Sequence, residues 1–75
     1  MATFSVESLA AVGAGVPDLL VGYRGRNWLL EVKDGDKPRS ARRLTNDQQK
    51  WHAAWRGQVE VVATVDDALS VIGVR

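Results

Sequence analysis

Two runs rich in strand-forming residues, Asp18-Leu-Leu-Val-Gly-Tyr23 and Trp28-Leu-Leu-Glu-Val-Lys33, flank the segment Arg24-Gly25-Arg26-Asn27. Strand formers on both sides of a short glycine-bearing turn predict a β-hairpin. With Arg24 facing Asn27, Asp18 lies opposite Lys33 and Leu20 opposite Glu31. Alternate residues then divide between two faces. Leu19, Val21, Tyr23, Trp28, Leu30 and Val32 form one that is almost pure core, while Asp18, Leu20, Gly22, Leu29, Glu31 and Lys33 share the other. A one-residue slip on either strand would turn its core set to the wrong side, so the pattern specifies the register well.

The rest of the chain is read around this hairpin. A first strand is expected between Ala2 and Leu9, where Phe4 and Val6 stand two apart; a short helix through Val6, Leu9 and Ala10 fits the same residues. Gly13-Ala14-Gly15 then breaks the pattern. Asp34 to Arg43 has Gly35, Pro38 and many charges without an apolar period, which predicts a loop. At Thr45 a helix begins, with Gln48 placed for a capping box and Asp47 at the positive end of the helix dipole. Gly57 is expected to end it. Gln48, Trp51, Ala54 and Trp55 fall on one face, expected to pack on the sheet and so to turn Gln48 inward. Val59, Val61 and Ala63 alternate with Glu60 and Val62 as a further strand, and Asp66 is expected to cap a last short helix reaching Gly73. The order is β-β-β-α-β-α: an α/β domain over residues 1–75, its mixed sheet centred on the hairpin and flanked by helices.

A chain of 75 residues supports one thin core. Such domains usually need a disulfide, a metal or a partner subunit, and the absence of cysteine leaves the last two. It also fits a reducing compartment. No apolar run approaches a membrane span and no basic-then-apolar leader follows Met1, so a cytoplasmic protein with no membrane partner is expected. The net charge of +1 favours no particular partner. Its distribution is uneven, however: Arg24, Arg26, Lys33, Lys37, Arg39, Arg42 and Arg43 face only Glu31, Asp34 and Asp36 within one stretch. That stretch suits a phosphate backbone and a solvated loop equally well.

In the expected register Asp18 and Glu31 are diagonal neighbours, about 7 Å apart at their side-chain origins, within reach of one cation. Ionised carboxylates held together repel unless a divalent cation or Lys33 comes between them. Phosphodiester hydrolysis uses such a set: a hard cation on oxygen ligands to polarise the phosphate and acidify water, and a fixed positive charge beside it. Glu31-x-Lys33 alone fits a plain charged strand edge better, with Asp18 and Lys33 in a modest cross-strand ion pair. Pro17-Asp18 opening one strand, Glu31-x-Lys33 on its partner and an inward Gln48 on the next helix together favour a site.

Gly15-Val-Pro-Asp18-Leu-Leu, Leu30-Glu31-Val32-Lys33 and Leu44-Thr45-x-x-Gln48 occur in that order, and the run from about Gly13 to Ile72 resembles the VRR-NUC branch of the PD-(D/E)xK nuclease superfamily. The resemblance implies a restriction-endonuclease-like core. It implies Mg²⁺ or Mn²⁺ held by Asp18, Glu31 and the main-chain carbonyl of Val32, Lys33 beside the attacking water, and Gln48 as a further active-site residue. It also implies structure-selective cleavage of branched DNA, four-way junctions included, by a homodimer in a bacterial or phage-infected cell. Such domains ordinarily open with a helix bearing an acidic residue; here the first strand comes almost at once, so that helix is expected to be missing. Glu7 is the only acid upstream of Asp18, and no motif assigns it. A second expectation is therefore a catalytically weakened or inactive module that binds DNA or dimerises. A third is a small α/β partner protein, such as a toxin or antitoxin component.

Three other groups complete the reading. Arg39, Arg42 and Arg43 leave the strand that ends at Lys33 and are the candidates for DNA-backbone contacts, with a solvated loop as the alternative. His52 reads as a surface residue. Trp51 and Trp55 offer rings to bases, yet their spacing with Ala54 favours core or dimer packing.

Overall fold

The computed structural model describes residues 3–74. Four strands form one sheet in the order β1 (Ser5–Ser8), β2 (Leu19–Tyr23), β3 (Arg26–Val32), β4 (Glu60–Val62). The first two pairings are antiparallel and β3 with β4 is parallel. Helix α1 (Asn46–Ala54) lies in the crossover between β3 and β4, and α2 (Val65–Ile72) follows β4. The element order matches the sequence expectation for a small mixed α/β domain. Residues around Val6 form the strand rather than the alternative helix. The Ala2 end of the expected first strand lies outside the described residues.

The hairpin turns one residue earlier than expected, which moves the pairing register by two. Tyr23 pairs with Arg26, Leu20 with Leu29 and Leu19 with Leu30. Its loop is Arg24-Gly25, with φ of 51° and 77°. A two-residue loop whose central positions both have positive φ follows the right-handed twist of the strands. Gly25 takes its place at no steric cost, whereas the expected register would have put Arg26 in the loop. A shift of two leaves every side chain on its assigned face. It alters the site, because continuing the register one step beyond Leu19 and Leu30 sets Asp18 level with Glu31 rather than diagonal to it.

The core occupies the face expected for it. Val21, Tyr23, Leu30, Val62 and Ile72 are buried, with Leu19, Trp28, Ala68, Leu69, Val71 and Val74 packed against them. Val32 departs from expectation: it is 45% exposed. It lines an apolar groove with Val65 and Ala68 of α2, and Val65 is itself 75% exposed. The alternation in β4 sends Val62 to the core and leaves Val61 outside. Thr64, not Asp66, caps α2, accepting from the Asp67 N–H at 3.0 Å. Gly73, in the left-handed region, closes that helix.

Helix α1 begins as its sequence predicts, with a complete capping box of Thr45 and Gln48. Thr45→Ala is expected to cost about 1 kcal/mol, read as a lower urea midpoint at unchanged slope. The end of α1 differs from expectation, since the helix stops at Ala54 with Trp55 extended (φ −70°, ψ 131°). Gly57 does not terminate it. Trp55 therefore leaves the helical face, and both it and Ala54 are exposed rather than packed on the sheet. The chain then returns to β3 through Gln58, whose side-chain amide accepts from the Leu29 N–H (2.7 Å) and donates to the Leu29 carbonyl (3.1 Å). That amide does for Leu29 what a strand peptide would, satisfying its backbone groups just before β4 begins.

Candidate active site

Asp18, Glu31 and Lys33 meet at one end of the β2–β3 pair. Asp18 immediately precedes β2, after Pro17, which is fully buried. Its Oδ2 accepts the Val32 N–H at 2.7 Å, which fixes the carboxylate against β3. The Lys33 N–H donates to the Val62 carbonyl at 2.8 Å, so residue 33 turns its backbone groups toward β4. By strand alternation Val32 turns its own toward β2. The carbonyl of Val32 thus points to the side where Asp18 sits.

Lys33 is held by the helix. Its Nζ donates to Gln48 Oε1 at 2.7 Å, and the same oxygen accepts the Thr45 N–H at 2.9 Å. One amide oxygen therefore closes the capping box and fixes the ammonium, which is why Gln48 faces inward. Gly15 allows the approach: with φ at 81°, its backbone lies so near α1 that a Cβ would meet the Asp47 carbonyl and the Trp51 side chain. Thr45 and Gly15 were not singled out as site residues; the capping box and the Gly-x-Pro-Asp run were their only signals.

Glu31 is the unusual group. It is wholly buried, and among the described residues neither carboxylate oxygen has a hydrogen-bond partner. Burial first, and then the adjacent Asp18 carboxyl, push its pKa up to about 7, against the pull of Lys33 and the Val32 N–H. A hydrogen bond between the two carboxyls exists only while one of them holds a proton. Once both are ionised, two adjacent carboxylates stand at a buried site with Lys33 as the cation that offsets them, an arrangement with room for a further positive charge.

The chemistry of this donor set fits a hard divalent cation: two carboxylates and a main-chain carbonyl. Among the described residues no group of three His, Cys, Asp or Glu side chains is placed to hold a metal. Mg²⁺ commonly binds through one or two carboxylates, with water and substrate phosphate completing its shell. Glu7 pairs with Leu20 and so shares the face of Asp18, Glu31 and Lys33, which sequence reasoning had left open. It does not complete a three-acid cluster.

Arg39 and Arg42 lie in a short 3-10 helix (Arg39–Arg42) within the expected loop. With Lys33, Val61, Ala63 and Asp67 they line a pocket of about 310 Å³. Arg42 Nε is buried, with no hydrogen-bond partner among the described residues. Asp67 is engaged elsewhere, its Oδ2 accepting the Ala63 N–H at 3.1 Å. Arg43 is exposed and does not line the pocket. His52, expected at the surface, is half-buried with its ring edge-on to Trp51 at 5.8 Å.

Compared with known proteins, the chain matches no family model, no curated protein and no solved structure at a significant level. Among the described residues no helix is long and apolar enough to cross a membrane.

Proposed function

We propose that this domain is a divalent-metal-dependent endodeoxyribonuclease of the PD-(D/E)xK type, in its VRR-NUC branch, acting as a homodimer on branched DNA such as four-way junctions. The observation that carries the reading is Glu31: a buried carboxyl with both oxygens unpartnered, beside Asp18 and next to a lysine fixed by Gln48. A core built only for stability would place an apolar side chain there. The restriction-endonuclease-like fold belongs to the same proposal, supported by the mixed sheet and the order of its elements.

Asp18, Glu31 and the Val32 carbonyl would hold Mg²⁺ or Mn²⁺. When bound, the cation polarises the scissile phosphate and lowers the pKa of water. The chain's own residues do the rest. The Val32 N–H holds one Asp18 oxygen, leaving the carboxylate a fixed direction. Gln48 fixes Lys33 Nζ, so that its charge meets the negative charge that builds on the phosphate during attack, at no reorganisation cost. Arg39 and Arg42, in the adjoining pocket, supply guanidinium groups for a neighbouring phosphate. A twofold dimer suits a junction's approximate symmetry, and the exposed Val32 and Val65, which line one apolar groove, give a second copy surface to cover.

The test is cleavage of end-labelled junction and linear duplex with Mg²⁺, with Mn²⁺ and with chelator, comparing wild type with Asp18→Asn. Metal-dependent cutting of the junction that Asp18→Asn abolishes is the expected result. Equal residual activity in both proteins would overturn the catalytic assignment. One observation favours the second reading, a weakened or inactive DNA-binding module: no third acidic side chain joins the pair among the described residues. Salt-sensitive junction binding without cleavage under any metal would establish that reading instead.

A further inference from the structure

We infer that Trp55, stacked on Trp51, is a platform for an unpaired nucleobase of the bound DNA strand. The inference rests on the nuclease reading and deepens it by naming a further feature of the substrate: an unpaired nucleotide about three steps along the strand from the cut phosphate.

The two indoles lie 4.7 Å apart at 20°, an offset stack. Trp55 remains 44% exposed, so the stacked pair presents ring surface to solvent. Its orientation is set in advance, because Nε1–H donates to the Gln58 carbonyl at 3.0 Å. Gly57 keeps space beside the ring. A Cβ at that position would stand 2.9 Å from Nε1 and 3.1 Å from Cε2 of Trp55. Gly57 is not among the glycines with positive φ, so the benefit of glycine there is room rather than backbone freedom.

The position suits a DNA strand. Gln48, which holds Lys33, lies in the first turn of α1, and Trp55 caps the end of that helix seven residues later, about 10 Å along its axis or about three stacked nucleotide steps. Lys50 and Arg56, both exposed, flank the pair in sequence and provide charge for the phosphates. The Arg39 and Arg42 pocket adjoins Lys33 on its β4 side. A strand gripped in that pocket and continuing past Lys33 along α1 arrives at the indoles. Bases within a duplex have both faces occupied by their neighbours, so only an unpaired base has a face to offer Trp55. Stacking of this kind tolerates any base and discriminates by strandedness.

The test is metal-free binding, which does not depend on cleavage. A labelled single strand of about twelve thymidines and an abasic strand of equal length are titrated by anisotropy in chelator. Wild type is expected to bind the thymidine strand about tenfold more tightly than the abasic one, with quenching of tryptophan fluorescence. Trp55→Ala is expected to remove that difference by weakening only the thymidine strand, while Trp55→Phe keeps most of it. Equal binding of the two strands by wild type would overturn the inference without any variant having to fold, as would unchanged discrimination in a Trp55→Ala protein of native circular dichroism. Preserved junction cleavage alongside such a result would leave the nuclease reading standing. Base-dependent binding in a protein that never cuts would leave the platform standing alone.

Discussion

Glu31→Gln is expected to yield a protein that is more stable than wild type in chelator and inert toward junction DNA with any metal. Both effects follow from one buried, unpartnered carboxyl. Its pKa in the fold, about 7, lies above the ordinary 4.5, so the folded state binds its proton more tightly than the unfolded chain does. The contribution of this group to stability is then fully present below about pH 4.5 and is lost as the pH rises toward about 7. Glutamine keeps the shape and carries no charge to lose. Thermal melts in chelator between about pH 5 and about pH 8 should therefore show wild type falling relative to the variant, with the widest gap at the alkaline end. Mn²⁺ should reverse the order, raising the melting temperature of wild type by mass action and leaving the variant where it was. Coincident pH profiles for the two proteins would contradict the assignment of Glu31 as a buried carboxyl under strain.

Lys33→Ala is expected to lower the single-turnover rate of junction cleavage by about 10²–10³-fold, the usual cost of removing one preorganised group that meets charge in a transition state. Binding of the junction should change little, because the effect is confined to the chemical step. Lys33→Arg should restore only a small part of the rate, since a planar guanidinium does not reproduce a point charge seated on a single Gln48 oxygen. Gln48→Ala should have a smaller effect than Lys33→Ala: it leaves the charge present but free to wander, and it also opens the capping box. A Lys33→Ala enzyme with the wild-type rate at saturating DNA would remove Lys33 from the chemistry.

What the sequence made legible, and what it hid, divides along physical lines. The division of the hairpin into a core face and a charged face was readable because side chains alternate with a period of two, and a register error of two residues preserves it. The register itself was not. It depends on which adjacent pair in Arg24-Gly25-Arg26-Asn27 accepts positive φ, and Arg24 accepts it despite having a side chain. The inward Gln48 was readable from the helical face it shares with Trp51, although Ala54 and Trp55, placed on that face by the same spacing, are exposed. The fate of Trp55 was hidden because helical spacing says nothing of where a helix stops; α1 ends at Ala54, short of Gly57, and the chain returns to β3 at Gln58. Thr64 and Asp66 are both good caps two residues apart, and only the turn after β4 chose between them. Arg39 and Arg42 were placed near Lys33 from chain order alone, whereas Arg43, their neighbour, turns away from the pocket. Val32 falls on the core face by alternation, and no pattern within β3 reveals that an open groove lies between it and the first turn of α2.

The central claim is that Asp18 and Glu31 form a cation site, and calorimetric titration of Mn²⁺ at about pH 8, where Glu31 is ionised in the fold, tests it most directly. Wild type is expected to bind the ion saturably, with Asp18→Asn much weaker and Glu31→Gln showing no resolvable heat. Wild type binding no better than Glu31→Gln would contradict the claim.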